Sequence, residues 1–555
     1  MEKKRVLPIT IIALILVHSI ALRLDDVCDP STFSSPFDNY TSIFCPQSTE
    51  IETPLRLQFD RPLPAFIRGL RYVVNSFAKF RIGDGENAEE FTYYMDGYQK
   101  AAILDFHDNG DAVFSTRFIN TVYYTKAIEA GHPIAGCIFN VTTPKRKSDY
   151  IPLENFRACN LGNCDQAPVI TFLLPDNTTM VSTTDKSDWL QIDSDLSTPG
   201  SIEWQDDIIG FNSPAASHAL IHSPTGDRIG VALDSNTPKL NVAKVFRLSA
   251  SAPTTRQLIG SVDLAVTGVL YMHSFGLSHS YAVVVEHPVS MDGPTLMSPK
   301  PLLDAFRLDP QGTTKFHVMR LTDAGRGKPA GSYVTLDADH AFMLMHVGNT
   351  YEALNNRGEE VLHMDVEMYK IEDGVDDPFG TLGFSNIFDE DFMPNTGNVY
   401  RRYILNLATG DVSHKDLLVP KVAEGSRPYG FPVVNPFYAG QKNCYTYLSK
   451  LVGRVHQHSI IKYDHCRDRV AGEWNAGETL LFPTELVFVA DPNAEFGNQN
   501  EDMGVLFGFV YDAATLKSVA TFVDAKTMKT LTTAEVPFRI PWPVHGQVFP
   551  IPIPM

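Results

Sequence analysis

Gly504 to Tyr511 reads GVLFGFVY and Ser518 to Val523 reads SVATFV, two β-branched and aromatic runs parted by a short connector. Each run is too short for a stable helix and neither has a 3.6-residue apolar period, so both read as strands of one hairpin. The same pattern extends outward along the chain. Tyr281 to Glu286 is YAVVVE and Ala341 to Val347 is AFMLMHV. Turn formers stand between such runs, as in Asp108-Asn109-Gly110-Asp111, Pro224-Thr225-Gly226-Asp227 and Ala408-Thr409-Gly410-Asp411. The chain is therefore mostly β, with helix expected only in pieces such as Pro64 to Lys79.

So many strands must protect their edges, which leaves a very large sandwich, a barrel or a propeller. No strict WD or kelch repeat is present, but about 500 residues shared among about seven blades gives ~70 per blade, enough for four strands and loop insertions. No Pro/Gly/Ser linker divides the chain. Residues 56–555 read as one β domain, preceded by an N-terminal extension over 22–55.

The 555 residues carry 46 basic and 65 acidic side chains, a net charge of −19. That balance argues against nucleic acid as a partner, because a binding face must supply Lys and Arg to displace counterions. Lys3, Lys4 and Arg5, the apolar run Val6 to Val17 and the small-x-small pattern Ser19-Ile20-Ala21 read as a secretory signal peptide over residues 1–21, with a retained anchor as the alternative. In an oxidising compartment the seven cysteines pair by proximity as Cys28/Cys45, Cys159/Cys164 and Cys444/Cys466, leaving Cys137 over. Sequons at Asn39, Asn140 and Asn177 agree with secretion.

Most of the 17 histidines fall in turns, strand edges or polar segments. Four stand in richer surroundings: His218 in Ala216-Ser217-His218-Ala219, His273 in Tyr271-Met272-His273-Ser274-Phe275, His346 at the end of FMLMH, and His545 before Gly546. Their separations are 55, 73 and 199, the last about three blade lengths. Equivalent strand ends of a propeller converge on its axis, so four such side chains can meet there without a local motif. Imidazole is the commonest metal ligand.

These contexts resemble the carotenoid cleavage oxygenase family, which includes animal carotene oxygenases and the retinoid isomerohydrolase of the visual cycle. The stretch from Glu501-Asp502-Met503-Gly504 through Val523-Asp524-Ala525-Lys526 to Val536-Pro537-Phe538-Arg539-Ile540-Pro541 and His545-Gly546 is similar to the family's C-terminal signature nearly residue by residue. Tyr271 to Phe275 with Val285-Glu286-His287-Pro288, His346 to Glu352, and His218 to Asp227 resemble three further signatures. The resemblance implies a seven-bladed β-propeller with a helical and loop cap over a central non-haem Fe(II) held by His218, His273, His346 and His545, with no catalytic side chain beyond these ligands. His317 matches a stretch that is structural.

In the family three acids hold the ligands' second ring N–H. By that match Glu485 supplies one and Asp185, one methylene shorter, a second, while the third place carries Gly430 within Tyr429-Gly430-Phe431-Pro432. One ligand must then use water, a backbone carbonyl or an acid from elsewhere. Val73-Val74-Asn75-Ser76 departs from the family's first-blade pattern, and the polar, basic Thr143 to Asp149 replaces an apolar membrane-inserting segment. That run reads as a solvated loop, with contact to anionic lipid as the alternative.

The implied activity is O2-dependent cleavage of one polyene double bond of a carotenoid or apocarotenoid, giving retinal-like aldehydes. Retinyl-ester isomerohydrolysis and a non-catalytic secreted carotenoid- or retinoid-binding propeller are the alternatives. The implied location is the secretory pathway, secreted or in the ER lumen, with membrane association through the N-terminal segment.

Overall fold

The computed structural model describes residues 24–551 except 84–87, 134–168, 211–212, 235–240, 297–300, 324–328, 373–378, 393–397, 421–425, 453–458, 478, 482–485 and 495–499. Gly504–Asp512 and Lys517–Asp524 pair antiparallel, with Phe507 opposite Phe522 and Phe509 opposite Ala520. Lys529–Glu535 adds the next strand of the same sheet. Among the described residues seven sheets of four or five strands follow one another in this way, the blades of a β-propeller.

The C-terminus closes the ring. Pro543–Pro550 leaves the last blade and pairs antiparallel with Leu70–Lys79 of the first, with Tyr72 opposite Val548 and Val74 opposite Gly546. Its backbone thereby gains the partners that an open edge would lack. First and last blades are sealed by aromatic contacts: Tyr72 meets Phe507 edge-on at 4.8 Å and Phe106 meets Phe522 at 5.5 Å.

The helix expected over Pro64 to Lys79 is instead a 3-10 turn at Ala65–Ile67 followed by the strand Leu70–Lys79. Arg71 to Ala78 is buried on both faces, so the alternation that marks a half-buried strand is missing from its sequence. Within it Asn75, wholly buried, donates from its side-chain amide to the hydroxyls of Thr171 and Ser182 at 3.0 and 3.1 Å, tying the first blade to the second.

The extension packs onto the propeller. Phe37, Tyr40 and Ile43 lie against Tyr511 and Ala513 of the last blade, and the strand Ile51–Leu57 joins the first, crossing the boundary expected at residue 56. Cys28–Cys45 and Cys444–Cys466 are disulfides as expected. Residues 1–21, Cys137, Cys159, Cys164, Asn140 and the run 143–149 lie outside the described residues. Among the described residues no helix is long and apolar enough to cross a membrane.

Candidate metal centre

The four histidines reach one point from four sheets. His218 lies just before the strand Leu220–Ile221, and His273 lies between Val269–Leu270 and Gly276–Leu277. His346 sits within Phe342–Leu354 rather than at a strand end, and His545 within Pro543–Pro550. Leu220–Ile221, Gly276–Leu277, Phe342–Leu354 and Pro543–Pro550 are each the terminal strand of a sheet. Local irregularities aim the last two ligands. The ladder slips between Leu344 and His346 and again between Val347 and Asn349, and the partner of the His545 strand slips between Val74 and Ser76. A bulge turns a side chain out of the alternation it would otherwise follow.

Nε2 of His273 lies 3.2 Å from that of His218 and 3.3 Å from that of His346, which is itself 3.2 Å from Nε2 of His545. His273, His346 and His545 are buried, and His218 is partly so. Burial first, and the neighbouring imidazoles second, hold His218 and His545 well below the ordinary imidazole range, so both are neutral.

The outward nitrogens establish the tautomers. Nδ1 of His273 lies 2.8 Å from Oδ1 of Asp185, and Nδ1 of His346 lies 2.7 Å from Oε2 of Glu367. A carboxylate only accepts, so each Nδ1 carries a proton, and in the neutral imidazole the lone pair is then on Nε2. In that form the Nε2 lone pairs of His273 and His346 face each other at 3.3 Å with no proton between them. A cation bound by all four Nε2 atoms satisfies that arrangement, and the donor set fits a divalent transition metal.

Asp185 is long enough despite its missing methylene, and its Oδ2 also accepts from the Tyr271 hydroxyl at 3.1 Å. Glu485 lies outside the described residues. At Gly430 no acid is present, and the acid from elsewhere is Glu367, directly opposite His346 in the neighbouring strand Glu360–Lys370. Glu424, the nearby candidate in sequence, lies outside the described residues. Phe431, which the sequence presents only as the neighbour of Gly430, places its ring over His346 at 5.1 Å and beside His545 at 5.5 Å. His317 is structural as expected, bonded to Glu286 and Thr335 at 2.9 Å each.

Asp339, His340 and His414 form a second, more exposed group. Arg401 places a guanidinium nitrogen 2.6 Å from Nε2 of His340, and that charge opposes a cation there.

A propeller whose axis gathers four histidines, two of them hydrogen-bonded to Asp185 and Glu367, belongs to the class of β-propellers with a four-histidine centre that could hold a metal ion. The chain belongs to the RPE65 family, described as retinal pigment epithelial membrane protein, whose pattern matches residues 44–550. Carotenoid 9,10(9',10')-cleavage dioxygenase 1 of Arabidopsis thaliana is 23% identical over 368 residues, 64% of this chain and 60% of that one. A carotenoid dioxygenase of Neurospora crassa is 27% identical over 426 residues, 70% of this chain and 64% of that one. The chain thus spans less than two thirds of either relative. Cobalt-substituted apocarotenoid oxygenase of Synechocystis superposes with a TM-score of 0.71 at 17% identity, covering 93% of this chain and 99% of that one, and so shares the fold.

Proposed function

We propose that this protein is an Fe(II)-dependent dioxygenase that cleaves one double bond of a carotenoid or apocarotenoid. The observation that carries the reading is the convergence of four imidazole Nε2 atoms with the Nδ1 protons of His273 and His346 held by Asp185 and Glu367. His218, His273, His346 and His545 would hold the ion. An Fe(II) bound there supplies the activation of dioxygen. Neutral ligands leave its charge undiminished, unlike a site with a carboxylate in direct contact. In the overall reaction the C=C bond breaks and each carbon gains one oxygen atom of O2, so the products are two aldehydes and no further reductant is consumed. Asp185 and Glu367 keep the two imidazoles in one tautomer and orientation. Phe431 shields His346 and His545 from water.

The names of the Arabidopsis and Neurospora relatives support the substrate class. Secretory entry is proposed with it, supported by the basic-apolar leader and by two disulfides, which persist in oxidising compartments.

The test is anaerobic loading with Fe(II) followed by a carotenoid panel in ¹⁸O-labelled dioxygen. Stoichiometric iron and paired labelled aldehydes are expected, with both lost in His273→Ala and His545→Ala. Recovery of only intact polyene from fully loaded protein would instead favour a binding module.

A further inference from the structure

We propose that Glu367 and Gly430 form one exchanged unit: the carboxylate that orients His346 has moved to the strand Glu360–Lys370, and Gly430 is glycine to make room for it. The inference rests on the four histidines being a metal site.

Glu367 is built as a fully satisfied anchor. Its Oε2 accepts from Nδ1 of His346 at 2.7 Å and from the backbone N–H of Phe431 at 3.0 Å. Its Oε1 accepts from the Tyr369 hydroxyl at 3.2 Å and the Asn398 side-chain amide at 3.1 Å. The side chain is 4% exposed. A buried carboxylate held by four donors is rigid, and a rigid acceptor fixes the direction in which the imidazole presents its other nitrogen.

Gly430 is required by space rather than by backbone freedom. A Cβ there would lie 2.9 and 3.3 Å from the two Glu367 oxygens and 3.2 Å from their carbon. Any side chain at 430 therefore presses on the carboxylate, and an acid there would add charge repulsion. The next residue, Phe431, takes a left-handed φ of 52°, and its N–H donates to Glu367. Its ring then lies over His346. Glycine and the unusual backbone after it thus both serve the Glu367 carboxylate. An acid at 367 and an acid at 430 are alternatives that exclude each other, so the gap at Gly430 is a relocation and the site keeps its acid. Glu367 is a positioning residue, acting on the metal through His346.

The experiment is a Co(II) titration of the full chain, followed by ligand-field absorption, with a thermal melt of every variant. Glu367→Ala is expected to weaken cobalt binding by about 10- to 100-fold and to alter the ligand-field bands. Glu367→Gln keeps the shape but presents an amide N–H₂ to donors, and weakens binding in the same direction while retaining the fold. Gly430→Glu alone weakens binding too, because two carboxylates compete for one space. In the double variant Glu367→Ala/Gly430→Glu the acid returns from the other strand, and affinity recovers to within about threefold of the parent. Unchanged affinity and bands in Glu367→Ala and Glu367→Gln would overturn the proposal, as would a double variant no better than Glu367→Ala in spite of a native melt. A parent protein that binds no cobalt would instead remove the metal reading itself, and this inference with it.

Discussion

Gly546→Ala puts the closure of the ring and the placement of a ligand into one measurement. Gly546 follows His545 and lies opposite Val74 in the seam between the last strand and the first blade. An alanine methyl there would sit 2.4 Å from the Tyr72 hydroxyl oxygen and 2.6 and 2.8 Å from two ring carbons. Ordinary contact begins near 3.5 Å, so about 1 Å must be found. Tyr72 cannot yield it easily, being 2% exposed and wedged edge-on against Phe507 at 4.8 Å and Phe509 at 5.6 Å. The strand Pro543–Pro550 moves instead and takes His545 with it. Overpacking of this kind costs about 1–3 kcal/mol, and a ligand misplaced by about 1 Å costs on the order of 100-fold in turnover. Denaturant midpoint and Co(II) affinity should both fall. Tyr72→Phe removes only the nearest atom and recovers part of the loss; Tyr72→Leu removes the ring and recovers more, with a favourable coupling of about 1–2 kcal/mol in the double-mutant cycle. Native stability and affinity in Gly546→Ala, or strict additivity with Tyr72→Leu, would refute the reasoning.

Asp185→Ala should weaken Co(II) binding by about 10- to 100-fold, whereas Asp185→Glu should not strengthen it, because the shorter acid already reaches His273 at 2.8 Å. Acid should destabilise the metal-free protein through buried neutral histidines. Burial takes His287 from the usual 6.5 down to about 3, and His363 and His465 to about 4. A depressed folded value means that the unfolded chain binds the proton first, so stability is fully present above pH 6.5 and lost as pH falls from there toward 3 to 4. Melting temperature against pH checks the sign, and His287→Phe should flatten the curve. Replacing Cys444 and Cys466 by serine should cost about 2–4 kcal/mol, read as a lower denaturant midpoint, and added reductant should then lower it by less than in the parent, because Cys28–Cys45 is still there to be reduced. The same loop is held by Glu501, whose carboxylate accepts from the N–H groups of Cys444 and Tyr445 at 2.7 and 2.6 Å.

The β class, the spacing of the four histidines and the two described disulfides were legible in the sequence, because each rests on local pattern or on counting along the chain. GVLFGFVY and SVATFV can hardly be anything but strands, and residues one or more blades apart meet wherever blades share an axis. Leu70–Lys79 was illegible for the opposite reason: buried on both faces, it carries no alternation. The acid on His346 was hidden more deeply. Beyond the bulges of this hairpin, toward its turn, Leu354 pairs with Glu360, and continuing that register would set Met368 against His346. The slip between Val347 and Asn349 moves the partner by one residue and brings Glu367 there instead, and the second slip, between Leu344 and His346, sets Met368 against Leu344 in the core. Sequence therefore determined the β class by pattern, and the resemblance of its motifs singled out the four imidazoles that meet. Tertiary structure decided what holds them, because a one-residue slip in a strand exchanges the inward and outward faces, and only the folded ladder shows where the slip occurs.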